Sequence, residues 1–303
     1  MGAIPAAEVE ITPDLVRALL IEQHPDLAAL PIGAMTHGWD NVMVRLGNEL
    51  VLRMPRREAS AQLIEYEQRW LPVLAPQLPV PVHDPIRIGV PGCGYPWHWS
   101  VCRWYIGTTT GTMLDQGRMR AEVFAPSLAR FQSALHTPAP NDAPENPWRG
   151  VPLANRNEAT LQRIEQFAEW LDVAAAKELW AAALIQPRWN GPPLWLQGDP
   201  HPLNLLVNDD SELVAALDFG DITAGDPASD LSSVFMHLPP THWPLFKQHY
   251  QLGTPDVDYH SLWMRAQGWA LSLALAFMVG SEPGEQLHRC ATRTLDSLGV
   301  SKQ

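Results

Sequence analysis

The sequence predicts a two-lobed α+β fold, with a small N-terminal lobe of antiparallel strands over residues 1–106 and a larger, mainly helical C-terminal lobe over residues 107–303. Three observations predict it. The chain has 303 residues, more than one core usually holds, and its 46% hydrophobic and 18% charged content suits a compact fold. Short runs of strand character gather before residue 106, and helical apolar spacing dominates after it. Between the two lies "IGTTTGT" (Ile106 to Thr112), which reads as a hinge or linker.

The elements follow in order. Thr12 reads as an N-cap and Pro13 as the first residue of an opening helix. Strand-like segments follow at Ile32 to Thr36, Asn41 to Leu46 and Glu49 to Arg53, with Gly47 and Asn48 turning between the last two. Glu58 to Leu74 has Leu63, Tyr66, Trp70 and Leu74 at three- and four-residue intervals, an amphipathic helix. Two more strands, Ile86 to Ile88 and Trp99 to Tyr105, complete the small lobe. In the second lobe, the Pro-rich Thr137 to Gly150 reads as a long loop between helices, and "WALSLALAFMVG" (Trp269 to Gly280) as a buried helix too short to span a bilayer.

Composition narrows the function. The net charge of −12 disfavours nucleic acid and anionic membranes as partners. Between Trp189 and Met264 stand ten acids (Asp199, Asp209, Asp210, Glu212, Asp218, Asp221, Asp226, Asp230, Asp256 and Asp258) against one base, Lys247. Such a segment attracts cations or forms a solvated acidic face. The three cysteines lack metal or disulfide spacing, and the N-terminus lacks a signal-peptide pattern, so a reduced cytoplasm is the expected location. The histidines other than His201 show no ligand spacing.

The chemistry concentrates in two interruptions of apolar, strand-like sequence: "LWLQGDPHPLNLLV" (Leu194 to Val207) and "ALDFGD" (Ala216 to Asp221). Asp199 and Asn204 lie five residues apart in one loop, and Asp218 follows after two short strands, Leu205 to Val207 and Leu213 to Leu217. A hairpin gathers these three oxygen-bearing groups into one pocket of the kind Mg²⁺ prefers, with one carboxylate left to accept a proton. That is the equipment of phosphoryl transfer, and Asp-x4-Asn followed by Asp-Phe-Gly is also the protein-kinase pattern.

The stretch "QGDPHPLNLLV…LDFGDITAGDPASDL" resembles the aminoglycoside phosphotransferase family, a branch of the protein-kinase-like fold. The resemblance implies Asp199 as catalytic base and Asn204 and Asp218 as metal ligands. It implies His201 as a loop organiser, and Asp226 and Asp230 as supports, Asp230 by capping or starting the following helix. In the first lobe it implies a phosphate-covering turn from Gly38 to Asn41, a third-strand base paired with Glu67, and backbone contacts to a nucleotide base around Arg103, Trp104 and Tyr105. Two departures stand out. No lysine lies in the first lobe, so Arg53 is the candidate base, and Gln197 replaces the family's usual histidine as a loop organiser.

The resemblance further implies a nucleotide-binding lobe over residues 1–106 and a catalytic, substrate-binding lobe over 107–303. ATP or GTP would be the phosphoryl donor, Mg²⁺ the metal, and a hydroxylated, cationic small molecule the acceptor, with aminoglycoside antibiotics leading. Kinases of macrolides or small metabolites, a nucleotide-binding pseudoenzyme and a metal-dependent hydrolase are the rival readings.

Overall fold

The computed structural model describes residues 6–302; residues 1–5 and 303, the outer ends of the two expected lobes, lie outside them. The described chain divides into two units, one of residues 6–77 and 81–106, the other of residues 78–80 and 107–302.

The first unit opens with α1 (Pro13–Gln23), where Thr12 Oγ1 accepts the Leu15 N–H as the cap requires. β1 (Ile32–His37), β2 (Asn41–Leu46) and β3 (Leu50–Pro55) follow, then α2 (Glu58–Leu74), β4 (Pro85–Gly89) and β5 (Trp99–Arg103). The five strands form an antiparallel sheet in the order β1-β2-β3-β5-β4. The turn after β2 is one residue longer than the sequence suggests. Leu46 pairs with Leu50, leaving Gly47, Asn48 and Glu49 as the loop, with Gly47 at φ +57°. The Glu49 carbonyl is thereby free of the hairpin ladder and accepts the Trp104 N–H at 2.7 Å.

Side-chain alternation along β3 decides where its arginine points. Leu52 and Met54 join Val16, Leu19, Val42 and Val44 in the core beneath α1. Val51 and Arg53 therefore face the other side of the sheet. The buried residues of α2 are Ser60, Ile64, Glu67, Trp70, Leu71 and Leu74, a stripe rotated from the Leu63–Tyr66 face that apolar spacing predicts. The cause is Glu67, which a count of apolar residues assigns to solvent and which the structure buries against Arg53.

The second unit comprises β6 (Thr108–Thr109), α3 (Thr110–Asp115), α4 (Ala121–Leu135), α5 (Asn157–Gln166), α6 (Val173–Leu184), β7 (Leu194–Leu196), β8 (Leu205–Val207), β9 (Leu213–Ala216), β10 (Thr223–Gly225), α7 (Ala228–Leu231), α8 (Ser233–His237), α9 (Trp243–His249), α10 (Tyr259–Gly280) and α11 (Gln286–Ser297). The segment read as a linker is largely built into this unit. Thr108 pairs with Val207, and Thr109 caps α3 by accepting the Thr112 N–H.

Two small ladders, β6-β8-β9 and β7-β10, lie among the helices. α10 is 22 residues long rather than twelve, because the helix starts at Tyr259, behind the Asp258 cap and ten residues before the apolar run begins. By length and composition it could cross a membrane, but 72% of its apolar window is buried inside the protein. The three cysteines are free, and burial pushes the thiols of Cys102 and Cys290 up to about 12.

The acidic segment is mostly engaged internally. Asp226 pairs with Arg265, Asp209 with Arg118 and Asp210 with Arg120, and Asp258 caps α10.

Candidate active site

β8 and β9 are antiparallel neighbours, so Asn204, which precedes β8, and Asp218, which follows β9, emerge at one end of the hairpin. The Leu217 N–H donates to the Asn204 carbonyl at 2.7 Å and closes that end. β7 belongs to the other ladder, so Asp199 is brought in by the loop between β7 and β8 rather than by strand pairing with them. Within that loop the His201 N–H donates to the Asp199 carbonyl at 2.8 Å, and Asn204 Nδ2 donates to the same oxygen at 3.0 Å. Asp199 and Asn204 thus share one hydrogen-bonded loop, and Asp218 directly follows Leu217, whose N–H is bonded to that loop.

The tautomer of His201 follows from its partners. The Leu203 N–H can only donate, so Nδ1 accepts it at 3.1 Å and Nε2 carries the proton, 3.4 Å from Asp199 Oδ2. Asp199 Oδ1 faces Arg149 Nη2 at 3.2 Å. The Asp199 side chain is 24% exposed, enough to meet a small molecule.

Asp218 adopts φ +54°, the left-handed region, and its Oδ1 accepts the Gly220 N–H at 3.3 Å. Asp221 is a further acid here. Burial pushes its carboxyl up, while Arg149 and a 2.7 Å hydrogen bond from Asn146 Nδ2 work the other way.

The supports behind this loop are buried. Asp230 Oδ2 accepts the Gln197 N–H at 2.7 Å and its Oδ1 the Gly198 N–H at 3.0 Å. Asp230 therefore lies within α7 and does not cap it; a fully buried carboxylate finds its donors in the neighbouring loop, because those two N–H groups have left the β7 ladder. Pro227 occupies the cap position, and Asp226 before it accepts the Ala228 N–H at Oδ1, 3.0 Å. Gly198 has φ +91°, and a Cβ there would come within 2.2 Å of the Asp221 carbonyl, so glycine is required at this crossing.

In the first unit, Arg53 Nη2 donates to Glu67 Oε1 at 2.7 Å, and both residues are 2% exposed. Arg53 Nη1 also lies 3.3 Å from His83 Nδ1, which must accept, since a guanidinium only donates. The His83 ring stacks on Tyr105, whose hydroxyl donates to the Val82 carbonyl at 3.0 Å. The Gly38–Asn41 turn closes through Gly38 N–H to the Asn41 carbonyl at 2.8 Å, and Arg56 and Arg57 brace it through the Gly38 carbonyl and Asp40. In the Arg103–Tyr105 segment the Trp104 N–H is already taken by Glu49, and the Arg45 guanidinium lies 4.1 Å above the Trp104 ring.

Residues 32–263 match the phosphotransferase enzyme family. The chain belongs to that family. This phosphotransferase also shares its fold with solved structures of low identity. The GDP and kanamycin complex of APH(2")-IIia superimposes with a TM-score of 0.68 at 16% identity, covering 93% of this chain and 97% of that one. Macrolide 2'-phosphotransferase MphH from Brachybacterium faecium gives 0.58 at 19%, covering 93% and 97%. The streptomycin-ATP-APH(2")-IIa ternary complex gives 0.54 at 15%, covering 95% and 97%. No curated protein matches the chain significantly.

Sequence reasoning did not single out three residues that contact the predicted groups and their neighbours: His83 beside Arg53, Asn146 on Asp221 and Arg149 on Asp199. His83 carries no local signal. Arg149 had one, as the single base in the otherwise acidic and Pro-rich Thr137 to Gly150 loop.

Gln197, fully buried, donates from Nε2 to the Leu217 carbonyl at 2.8 Å, while its Oε1 has no partner among the described residues. Only the donor half of the amide is used, and a protonated imidazole nitrogen reproduces it. Gln197→His is therefore expected to keep transfer within about threefold, whereas Gln197→Ala leaves a buried carbonyl unpaired and costs about 1–3 kcal/mol. Urea denaturation and transfer rates measured on both variants check this.

Proposed function

We propose that this phosphotransferase moves the γ-phosphoryl group of ATP or GTP to a hydroxyl of a small molecule in a Mg²⁺-dependent reaction. The observation that carries the proposal is Asp199, a partly exposed carboxylate held at Oδ1 by Arg149 and faced at Oδ2 by His201 Nε2. As catalytic base, Asp199 orients the acceptor hydroxyl and takes its proton as the oxygen attacks phosphorus.

The donor set fits Mg²⁺. Asn204 and Asp218 offer oxygens from one hairpin end, and both side chains are partly exposed. Mg²⁺ typically takes one or two protein oxygens and completes its shell with phosphates and water. Held by Asn204 and Asp218, the ion would offset the negative charge of the nucleotide phosphates. Gln197, Asp226 and Asp230 organise the loops that carry these groups.

On this reading residues 1–106 bind the nucleotide, through the Gly38–Asn41 turn, the Arg53–Glu67 pair and the backbone near Arg103, Trp104 and Tyr105, and residues 107–303 carry catalysis and the acceptor. Arg53→Met is expected to weaken nucleotide binding about tenfold or more, through loss of a charge-assisted hydrogen bond. Arg53→Lys, which keeps Glu67 paired, is expected to retain more of the affinity. Nucleotide titration of both, with melting curves as control, checks this.

Aminoglycosides head the acceptor panel, since fold neighbours bind kanamycin and streptomycin, and macrolides come second because another fold neighbour is a macrolide 2'-phosphotransferase. Because the acidic segment is largely paired internally, selectivity among them rests on groups beside Asp199 rather than on a broad acidic field. Purified protein with Mg-ATP or Mg-GTP and a panel of hydroxylated compounds provides the test. Transfer to one compound, abolished by EDTA, is expected; nucleotide binding with no transfer to any compound would favour the pseudoenzyme.

A further inference from the structure

We propose that Arg149, carried on the Pro-rich loop before α5, is a positioning residue that fixes the carboxylate of Asp199 and ties its loop to the Asp218–Asp221 turn. The proposal rests on the reading of Asp199 as catalytic base. The guanidinium grips the Gly198-Asp199 pair twice. Nε donates to the Gly198 carbonyl at 2.6 Å and Nη2 to Asp199 Oδ1 at 3.2 Å. The same Nη2 lies 3.7 Å from Asp221 Oδ2, so one side chain spans both loops.

The loop that delivers Arg149 is itself held on both sides. Asn146 donates to Asp221 Oδ1 at 2.7 Å and accepts the Trp148 N–H at 2.8 Å. Immediately after Arg149, the Gly150 carbonyl accepts the Asp226 N–H at 2.9 Å. Gly150 and Gly225 cross so closely that a Cβ on Gly225 would lie 2.2 Å from the Gly150 carbonyl. A long loop fastened at 146 and 150 holds position 149 in place.

Electrostatics give the grip its purpose. Asp199, Asp218 and Asp221 are three acids in two adjoining loops, and their mutual repulsion would spread the loops apart. Burial alone would lower the Arg149 pKa, and the carboxylates of Asp199 and Asp221 more than offset it, so the cation is stable beside them. With Oδ1 on Arg149 and Oδ2 facing His201, the Asp199 carboxylate has one orientation. The contact pattern needs a fork, one N–H on a carbonyl and another on a carboxylate, which lysine lacks.

The test compares Arg149→Ala, Arg149→Lys and Asp199→Asn with the parent, using Mg-ATP turnover with kanamycin or with water as acceptor, and hydrogen exchange of the 197–204 loop. Misplacing a reacting group by about an ångström costs about 100-fold in rate. Arg149→Ala is therefore expected to lower kcat about 100-fold with KM for Mg-ATP within about twofold, guanidinium ion restoring part of the loss and lysine little. Exchange in residues 197–204 should rise about tenfold, with other segments unchanged. A kcat within threefold of the parent, or, should the parent turn over too slowly to measure, unchanged exchange in that loop, would overturn the proposal. If Asp199→Asn keeps full turnover, it is the reading of Asp199 as base that fails; if Asp199→Asn is dead and Arg149→Ala is not, the failure belongs to Arg149.

Discussion

Asp199→Asn is expected to lower the rate of phosphoryl transfer by about 10³-fold while leaving the protein folded and able to bind nucleotide. The substitution removes the proton acceptor and little else. An asparagine Oδ1 can still accept from Arg149 Nη2, and the backbone carbonyl of residue 199 keeps its donors, the His201 N–H and Asn204 Nδ2. The one new conflict is at Oδ2, where an amide NH₂ would meet the proton on His201 Nε2, a partly exposed contact at 3.4 Å in the parent. Steady-state transfer kinetics, nucleotide titration and a melting curve on the same preparation separate chemistry from folding. A variant that keeps more than a tenth of the parent rate would remove Asp199 from the role of base.

The largest effect on stability is expected at Asp226→Ala. Asp226 and Arg265 form a two-point ion pair, Nε to Oδ2 at 2.7 Å and Nη2 to Oδ1 at 3.1 Å, with both side chains 6% exposed. Removing the carboxylate leaves Arg265 buried with only the Pro187 carbonyl to accept from it among the described residues and deprives the Ala228 N–H of its acceptor. Breaking a buried pair from one side costs about 3–5 kcal/mol, because the desolvated charge left behind is uncompensated. In a protein of this size that lowers the melting temperature by roughly 10 °C. Asp209→Ala is the matched control. Its partner Arg118 is half exposed, and the pair is worth about 0–1 kcal/mol. Equal losses from the two substitutions would contradict the burial argument.

The two loop tips were legible because their chemistry is local. Asp199 and Asn204 share one loop, and Asp218 lies one hairpin away, so strand pairing of β8 and β9 brings two of the three groups to the same end. Their spacing is a consequence of short-range geometry that a sequence displays. The Arg53–Glu67 pair was reached by resemblance instead, since 14 residues and a helix separate the partners and the burial of Glu67 contradicts its polarity. Apolar spacing found Trp70 and Leu74 on the inner face of α2 but not Ser60, Ile64 and Glu67. Asp230 was expected to cap or start the helix that follows; it lies in the first turn of α7 without capping it, and its carboxylate accepts from N–H groups 32 and 33 residues away.

By itself the sequence determined the two-lobed α+β fold and the hairpin that carries Asn204 and Asp218 to one end, because periodicity, capping and hairpin pairing act over a few residues. Only the tertiary structure decided which charges meet. Arg149 reaches Asp199 across 50 residues and Arg265 reaches Asp226 across 39, and in both the partner is chosen by burial and the need to compensate a desolvated charge. That requirement depends on where the chain packs, which no local pattern of residues records.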